Sequence, residues 1–212
     1  FQEEIEAVFT KALSRICAIN SRRWINFMLD IFSHIEDINM ETLTGAEQRM
    51  LQMFQFTVWQ KPAEECGFTG LKDGLMQIKN SPVMCTELLE LLQYNLDRID
   101  FIDEPVDLGF DCPLDLYCNY SRDQALVAMD FMKPATVREG VKYLPDKNID
   151  IFFVTLNKSD KDYSPTTMYN DYSINERLFH WQSQSTTADT SPTGQRYINH
   201  RQRGSKVLLF VR

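Results

Sequence analysis

No run of about 18 apolar residues occurs in the chain, so no segment is built to cross a bilayer as a helix. The first residues, Phe1 to Glu6, lack the basic-then-apolar profile of a signal peptide. They also lack an initiator Met, and the chain reads as a piece of something longer. Cysteine is sparse and unpatterned. Its five residues (Cys17, Cys66, Cys85, Cys112, Cys118) are an odd set with no Cys-x-x-Cys spacing. That favours reduced thiols in a cytoplasm over a disulfide framework or a zinc ribbon. With 43% hydrophobic and 25% charged residues, the chain has neither the excess charge of a disordered protein nor a collagen-like bias. Its 212 residues suffice for one large domain or two small ones.

The catalytic signatures are missing as well. There is no Gly-x-x-x-x-Gly-Lys-Ser/Thr loop to cradle a nucleotide phosphate. No acidic residue stands two before a lysine, which removes the usual metal-and-lysine corner of restriction-type nucleases. None of the histidines (His34, His180, His200) has lysine two residues on, so the phospholipase-D-type nuclease motif is absent. No histidine pair has metal spacing, and no Gly-x-Ser-x-Gly elbow occurs. The expectation is a non-enzymatic chain with no cofactor and no metal.

What is present is asymmetric. The net charge of −8 divides into 9 Lys/Arg against 19 Asp/Glu in residues 1–112, and 13 against 11 in residues 113–212. From Arg177 onward, six basic residues (Arg177, Arg196, Arg201, Arg203, Lys206, Arg212) face one acid, Asp189. An acidic half joined to a half with a basic end implies two modules with different partners.

The first half reads as helices. Trp24, Ile25, Met28, Leu29, Phe32 and Ile35 follow a helical repeat. A second helix is expected from about Ala46 to Trp59, with Met50, Met53, Phe54 and Val58 inward. Thr44 and Glu47 form its capping box, and Lys61-Pro62 stops it. A third runs from Met84 to about Asp97 through Leu88, Leu89, Leu91, Leu92 and Leu96. Such stripes fill a bundle core, and that reading outweighs a cofactor slot. Residues 99–112, acidic and punctuated by Pro105 and Gly109, mark the expected boundary, giving a helical coupling domain 1–110 and a recognition domain 111–212.

The second half mixes strands with short helices. Ser121 and Gln124 form a capping box before Ala125, Leu126, Ala128 and Met129. Residues 148–156 read as a buried strand, 177–184 as an alternating strand, and 206–212 as a strand at which the chain stops in mid-sheet. Ser191-Pro192 begins a short helix to about Asn199. In the 177–184 segment Phe179, Trp181 and Ser183 share one face, and His180, Gln182 and Gln184 the other.

A polar-aromatic cluster surrounds that segment. Thr166-Thr-Met-Tyr-Asn-Asp-Tyr-Ser173 precedes it and Ser191-Pro-Thr-Gly-Gln-Arg-Tyr-Ile-Asn-His200 follows. Tyr, Trp and Arg planes stack on nucleobases, and glutamine amides read base edges. Arg196, Arg201, Arg203 and Lys206 are candidates for phosphate contacts. Packing competes with this reading: Phe179 and Trp181 suit a core better than a base platform, and the basic run suits a solvated surface better than a ligand site, whereas the His180, Gln182 and Gln184 face suits a polar pocket lining.

Tyr169-Asn-Asp-Tyr172, Leu178-Phe-His-Trp-Gln-Ser-Gln184, Thr193-Gly-Gln-Arg-Tyr-Ile-Asn-His200 and Val207-Leu-Leu-Phe-Val-Arg212 resemble a bacterial family known as domain of unknown function 3427. Tyr120-Ser-Arg-Asp-Gln124, Arg138-Glu-Gly-Val141 and Phe153-Val-Thr-Leu-Asn-Lys158 fit the same pattern. Glu47-Gln-Arg-Met-Leu51 and Trp59-Gln-Lys-Pro62 look like the helical region before that domain, so the resemblance runs from about 45 to 212. The family sits C-terminal to superfamily II (DEAD/DEAH-type) helicase cores, and further strands follow the last motif. Some members belong to type IV restriction enzymes, where this domain is thought to recognise modified cytosine.

The resemblance implies an α+β fold: an N-terminal helical bundle, then a mixed, barrel-like β domain with short helices, a PUA/SRA-like pseudobarrel truncated at the C-terminus. It implies DNA with modified cytosine as ligand, the helicase and nuclease domains of the same polypeptide as partners, a cytoplasmic location and no membrane. Base contacts are expected from Tyr169, Tyr172, His180, Trp181, Gln182 and Gln184. Arg177, Arg196 and Arg201 would hold the backbone, and Gln195 belongs to the same set. The alternative expectation is an interaction scaffold that docks the motor domains with little direct DNA binding.

Overall fold

Serine and threonine side chains write five of the helix starts. In the computed structural model, which describes residues 2–156 and 170–212, Ser21 caps α2 (Arg22–His34) and Thr44 caps α3 (Gly45–Trp59). Ser81 caps α5 (Pro82–Asp97), Ser121 caps α6 (Arg122–Ala128) and Ser191 caps α7 (Pro192–Ile198). Each hydroxyl accepts from the amide three residues on, satisfying one of the donors that every helix start leaves over. Thr44–Glu47 and Ser121–Gln124 are complete capping boxes, as the spacing predicts. α1 (Gln2–Cys17) and α4 (Leu71–Lys79) complete the seven α-helices of the described residues and have no counterpart in the sequence reading.

The chain divides into two compact units, one ending at Thr136 and one spanning Val137–Arg212. In the first, α1 packs on α3 and α5, α2 on α3 and α5, and α6 on α3. The predicted stripes supply the core: Trp24, Ile25, Met28, Phe32, Ile35, Met50, Met53, Phe54, Val58, Leu88 and Leu92 are buried. Leu29, Leu89, Leu91 and Leu96 lie only half inside, at the stripe edges. The Trp24 indole donates to the Met50 carbonyl at 3.1 Å, so its one polar atom enters the core satisfied. Helix ends are held from neighbouring helices. Arg15 donates to the carbonyls of Thr57 and Val58 at the end of α3, and Lys79 to that of Phe32 near the end of α2.

The expected boundary at 110 falls inside this unit. Asp103 accepts from the Arg22 amide at 3.2 Å and Asp111 from the Ala46 amide at 2.7 Å. The acidic stretch is therefore a strap whose carboxylates sit on the N-termini of α2 and α3, where backbone donors and the helix dipole favour negative charge. Its two-residue strand β1 (Glu104–Pro105) pairs with β2 (Asp115–Leu116). α6 then buries Ala125 to Ala128, and Gln124 donates to the Thr57 hydroxyl of α3 at 2.8 Å. The charge asymmetry sharpens at the structural boundary. Residues 1–136 hold 11 Lys/Arg against 22 Asp/Glu, a net of −11, and residues 137–212 hold 11 against 8, a net of +3.

In the second unit, β3 (Val141–Leu144) and β4 (Ile149–Val154) form an antiparallel hairpin that turns through Asn148 at φ 54°. β7 (Lys206–Val211) lies on the other side of β4 and parallel to it, in the register Ile149↔Lys206 to Val154↔Val211. Parallel neighbours require a crossover, and α7 lies within it. The long strand expected over 177–184 is shorter: among the described residues β6 (Phe179–His180) pairs with β5 (Tyr172–Ser173). Side chains replace the ladder on both sides. Asn175 accepts from the amides of Arg177 and Leu178 at the turn, and Asp171 from the amide of Gln182. The fold is α+β, as expected. Among the described residues the sheets have two, three and two strands and are open, so no closed barrel is formed by them.

Candidate nucleic-acid interface

β4 carries a buried charge near its start. Asp150, between Ile149 and Ile151, has no exposed surface, and a carboxylate so placed requires a partner. Arg196 of α7 supplies it through two hydrogen bonds of 2.8 and 2.9 Å. The guanidinium also lies 3.7 Å from the centre of the Tyr143 ring, which the β3–β4 register puts opposite Asp150. Two residues along the same face of β4, Phe152 stacks on Trp181 with centroids 4.2 Å apart, and Tyr197 meets both rings edge-on. Burial and the neighbouring Asp150 push the Tyr197 phenol up, so it keeps its proton and donates to Gln184 at 3.3 Å.

A second group faces outward on the β5–β6 hairpin. Tyr172 and His180 are cross-strand partners whose rings stack at 4.7 Å, with planes 13° apart. The Tyr172 ring is half exposed, at 49%. His180 Nδ1 is 2.8 Å from the Asn170 carbonyl; a carbonyl only accepts, so Nδ1 carries the proton and Nε2 of the neutral ring is an acceptor. Gln182 Oε1 accepts from the Asn170 amide, which leaves the carboxamide NH₂ as the donor end. Arg177 is exposed at the hairpin turn.

The predicted residues are thus split. Trp181, Gln184 and Arg196 belong to the inner cluster, and Tyr172, His180 and Gln182 to the outer face. The alternation predicted for His180, Trp181 and Gln182 holds, since His180 and Gln182 both meet Asn170 while Trp181 turns to Phe152, but Gln184 leaves its expected face to meet Tyr197. Arg196, expected at a phosphate, is occupied by Asp150. Gln195 braces the start of α7, donating to Asp189 and accepting from Asn199, while Arg201 is exposed after α7. Tyr169 lies outside the described residues. Sequence reasoning missed Tyr143, Asp150, Phe152 and Tyr197 as members of the site. The signal was Asp150 itself, an acid in an otherwise apolar strand.

Two further features lie in the first unit. Ligand atoms of Asp103, Asp115 and Cys118 fall within 4.8 Å of one another. Arg23 already pairs with Asp115 at 3.0 Å and Arg22 with Asp103 at 3.8 Å. Burial, then Asp115 and Asp103, push the Cys118 thiol up to about 12, so the trio is an ion-paired clasp with a protonated thiol and not a ready ligand set. A groove of about 400 Å³ lined by Met40, Gln48, Arg49, Gln52, Leu71 and Met132 contains none of the predicted residues. Its Arg49 is taken by Asp130 at 3.0 Å. All five cysteines are free, and no helix among the described residues is long and apolar enough to cross a membrane.

Residues 114–212 match the model of a family described as Domain of unknown function (DUF3427). The match supports the resemblance over that stretch and starts well after residue 45. It begins inside the first unit, at the residue before β2, and takes in α6 and all of the second unit. No curated protein and no solved structure matches the chain.

Proposed function

We propose that this chain is a non-catalytic DNA-recognition module of a helicase-containing protein, reading modified cytosine in duplex DNA for a restriction or defence system. The observation that carries the reading is the outward Tyr172–His180 ring stack, with the acceptor Nε2 of His180 and the donor end of Gln182 beside it. A half-exposed ring extends a stack onto a flipped base, and an acceptor–donor pair suits its edge. The inner Trp181–Phe152–Tyr197 cluster and the Arg196–Asp150 pair act as the wall that fixes this hairpin. The net +3 of the second unit favours phosphate, with exposed Arg177 and Arg201 as its contacts. In this reading the open three-stranded sheet is part of a PUA/SRA-like pseudobarrel. The helical unit couples it to the motor and nuclease domains of one cytoplasmic polypeptide.

Fluorescence anisotropy on short duplexes, unmodified and carrying 5-methyl- or hydroxymethylcytosine, at two salt concentrations tests it. Tighter, salt-sensitive binding to a modified duplex is the expected result; equal binding to all duplexes reduces the module to a general DNA clamp. The net −11 of the first unit favours a second reading, a scaffold that docks motor domains with little DNA contact. Absence of DNA binding, together with a pull-down of motor domains that survives nuclease treatment, would favour it.

A further inference from the structure

The β1–β2 ribbon of the first unit turns three bulky apolar side chains to solvent. Asp115 points inward, buried, accepting from Ser21 at 2.7 Å and paired with Arg23, and Leu116 points outward, 43% exposed. Strand alternation would turn Tyr117 inward again. Instead its backbone enters the left-handed region at φ 69°, and its side chain is 75% exposed. A bulky residue rarely adopts that conformation, which costs energy wherever it occurs. Across the ribbon, Glu104 lies opposite Leu116, and Ile102 is 84% exposed. The 4.0 Å approach of Cys118 Sγ to Asp103 keeps the strands together past the paired residues. Ile102, Leu116 and Tyr117 are thus all exposed towards the same end of the ribbon.

The rim of this face is acidic. Residues 99–107 hold Asp100, Asp103, Glu104 and Asp107; Arg22 reaches this stretch, where it pairs with Asp103 and donates to the Phe101 carbonyl, so the acids still outnumber the cation. Asp103 is turned in towards Arg22, and the other three are exposed. An acidic rim repels nucleic-acid phosphate and repels a second copy of itself, whereas it complements a basic surface. We propose that this face docks an apolar segment of a protein partner flanked by Lys/Arg, Tyr117 being the side chain that the segment packs against. Aromatic anchors surrounded by a polar rim carry most of the energy of such interfaces. The proposal concerns the first unit alone and stands apart from the DNA reading.

The test uses the full chain and two fluorescein-labelled peptides, one with a Leu-Phe-Leu core between Lys-Lys pairs and one with the same core between Glu-Glu pairs. The Lys-flanked peptide is expected to bind at least about tenfold tighter, and more weakly at high salt. Tyr117→Gly removes the ring while placing glycine at a φ that it adopts freely. Its binding should fall about tenfold or more, with a melting temperature unchanged or higher and DNA affinity unchanged. The double variant Glu87→Gln/Glu90→Gln on exposed positions of α5 should retain binding. Binding of neither peptide, equal binding by wild type and Tyr117→Gly, or a lower melting temperature in Tyr117→Gly would each overturn the proposal.

Discussion

Arg196 spans the buried Asp150 carboxylate with two hydrogen bonds, at 2.8 and 2.9 Å, and at the same time places its Cζ 3.7 Å from the centre of the Tyr143 ring. This arrangement joins α7 to the centre of the three-stranded sheet. Removing one partner leaves the other as an uncompensated charge. Arg196→Ala is expected to destabilise the second unit by about 3–5 kcal/mol, whereas the apolar pair Asp150→Leu/Arg196→Met costs far less. Lysine does not restore the fork geometry, so Arg196→Lys should remain destabilised. Urea denaturation of the three variants checks this; an Arg196→Ala protein with unchanged stability but weakened DNA binding would return Arg196 to the phosphate role.

The inner and outer aromatic groups should respond oppositely to truncation. Trp181→Ala takes a stacked ring from Phe152 and an edge contact from Tyr197, and is expected to cost about 2 kcal/mol or more of stability. Tyr172→Ala loses only a cross-strand contact, worth less than about 1 kcal/mol. Its DNA affinity should fall by about 1–3 kcal/mol if a base stacks there. Thermal melts and anisotropy on the same two proteins separate the effects. A Tyr172→Ala protein that binds every duplex normally would remove the outer face from the site.

Alkaline pH should weaken the first unit through the Ser21–Asp115–Cys118–Tyr120 region. Burial raises the Cys118 thiol from 9.0 to about 12 and pushes the Tyr120 phenol up in the same direction. Between pH 9 and 12 the unfolded chain has released the thiol proton that the folded chain retains, so the unfolded state binds fewer protons and stability falls as pH rises. The urea midpoint should drop from pH 8 to pH 10, and less steeply in Cys118→Ala. Alkylation at pH 8 followed by mass spectrometry should modify the exposed Cys17 well before Cys118 or the buried Cys112.

A fragment cut at 110/111 should behave worse than one cut at 136/137. The first cut strips Gln124 and the buried Ala125–Ala128 of α6 from α3, and removes Asp111 from the start of α3. Residues 111–212 alone are expected to expose that apolar helix and precipitate, while 137–212 keeps its own sheet and α7 intact. Soluble yield and amide dispersion in NMR spectra decide between them. A well-dispersed 111–212 fragment would restore the earlier boundary.

Sequence alone determined the pieces whose causes are local. Thr44 with Glu47, Ser121 with Gln124 and Ser191 with Pro192 each act within three residues, so the starts of α3, α6 and α7 were legible, as were the apolar stripes of α2, α3 and α5. Only the tertiary structure decided what depends on distant partners. Asp150 and Arg196 are 46 residues apart, and Asp111 is 65 from the Ala46 amide that it accepts from. A run of acids reads as a linker until the helix N-termini that it neutralises are known, and an arginine reads as a phosphate ligand until a buried carboxylate claims it. Period-2 alternation separated Trp181 from His180 correctly but carried no sign of which face was inside. That was settled by Phe152 and Tyr197, which give the indole a stacking partner and an edge, and leave the Tyr172–His180 pair to water.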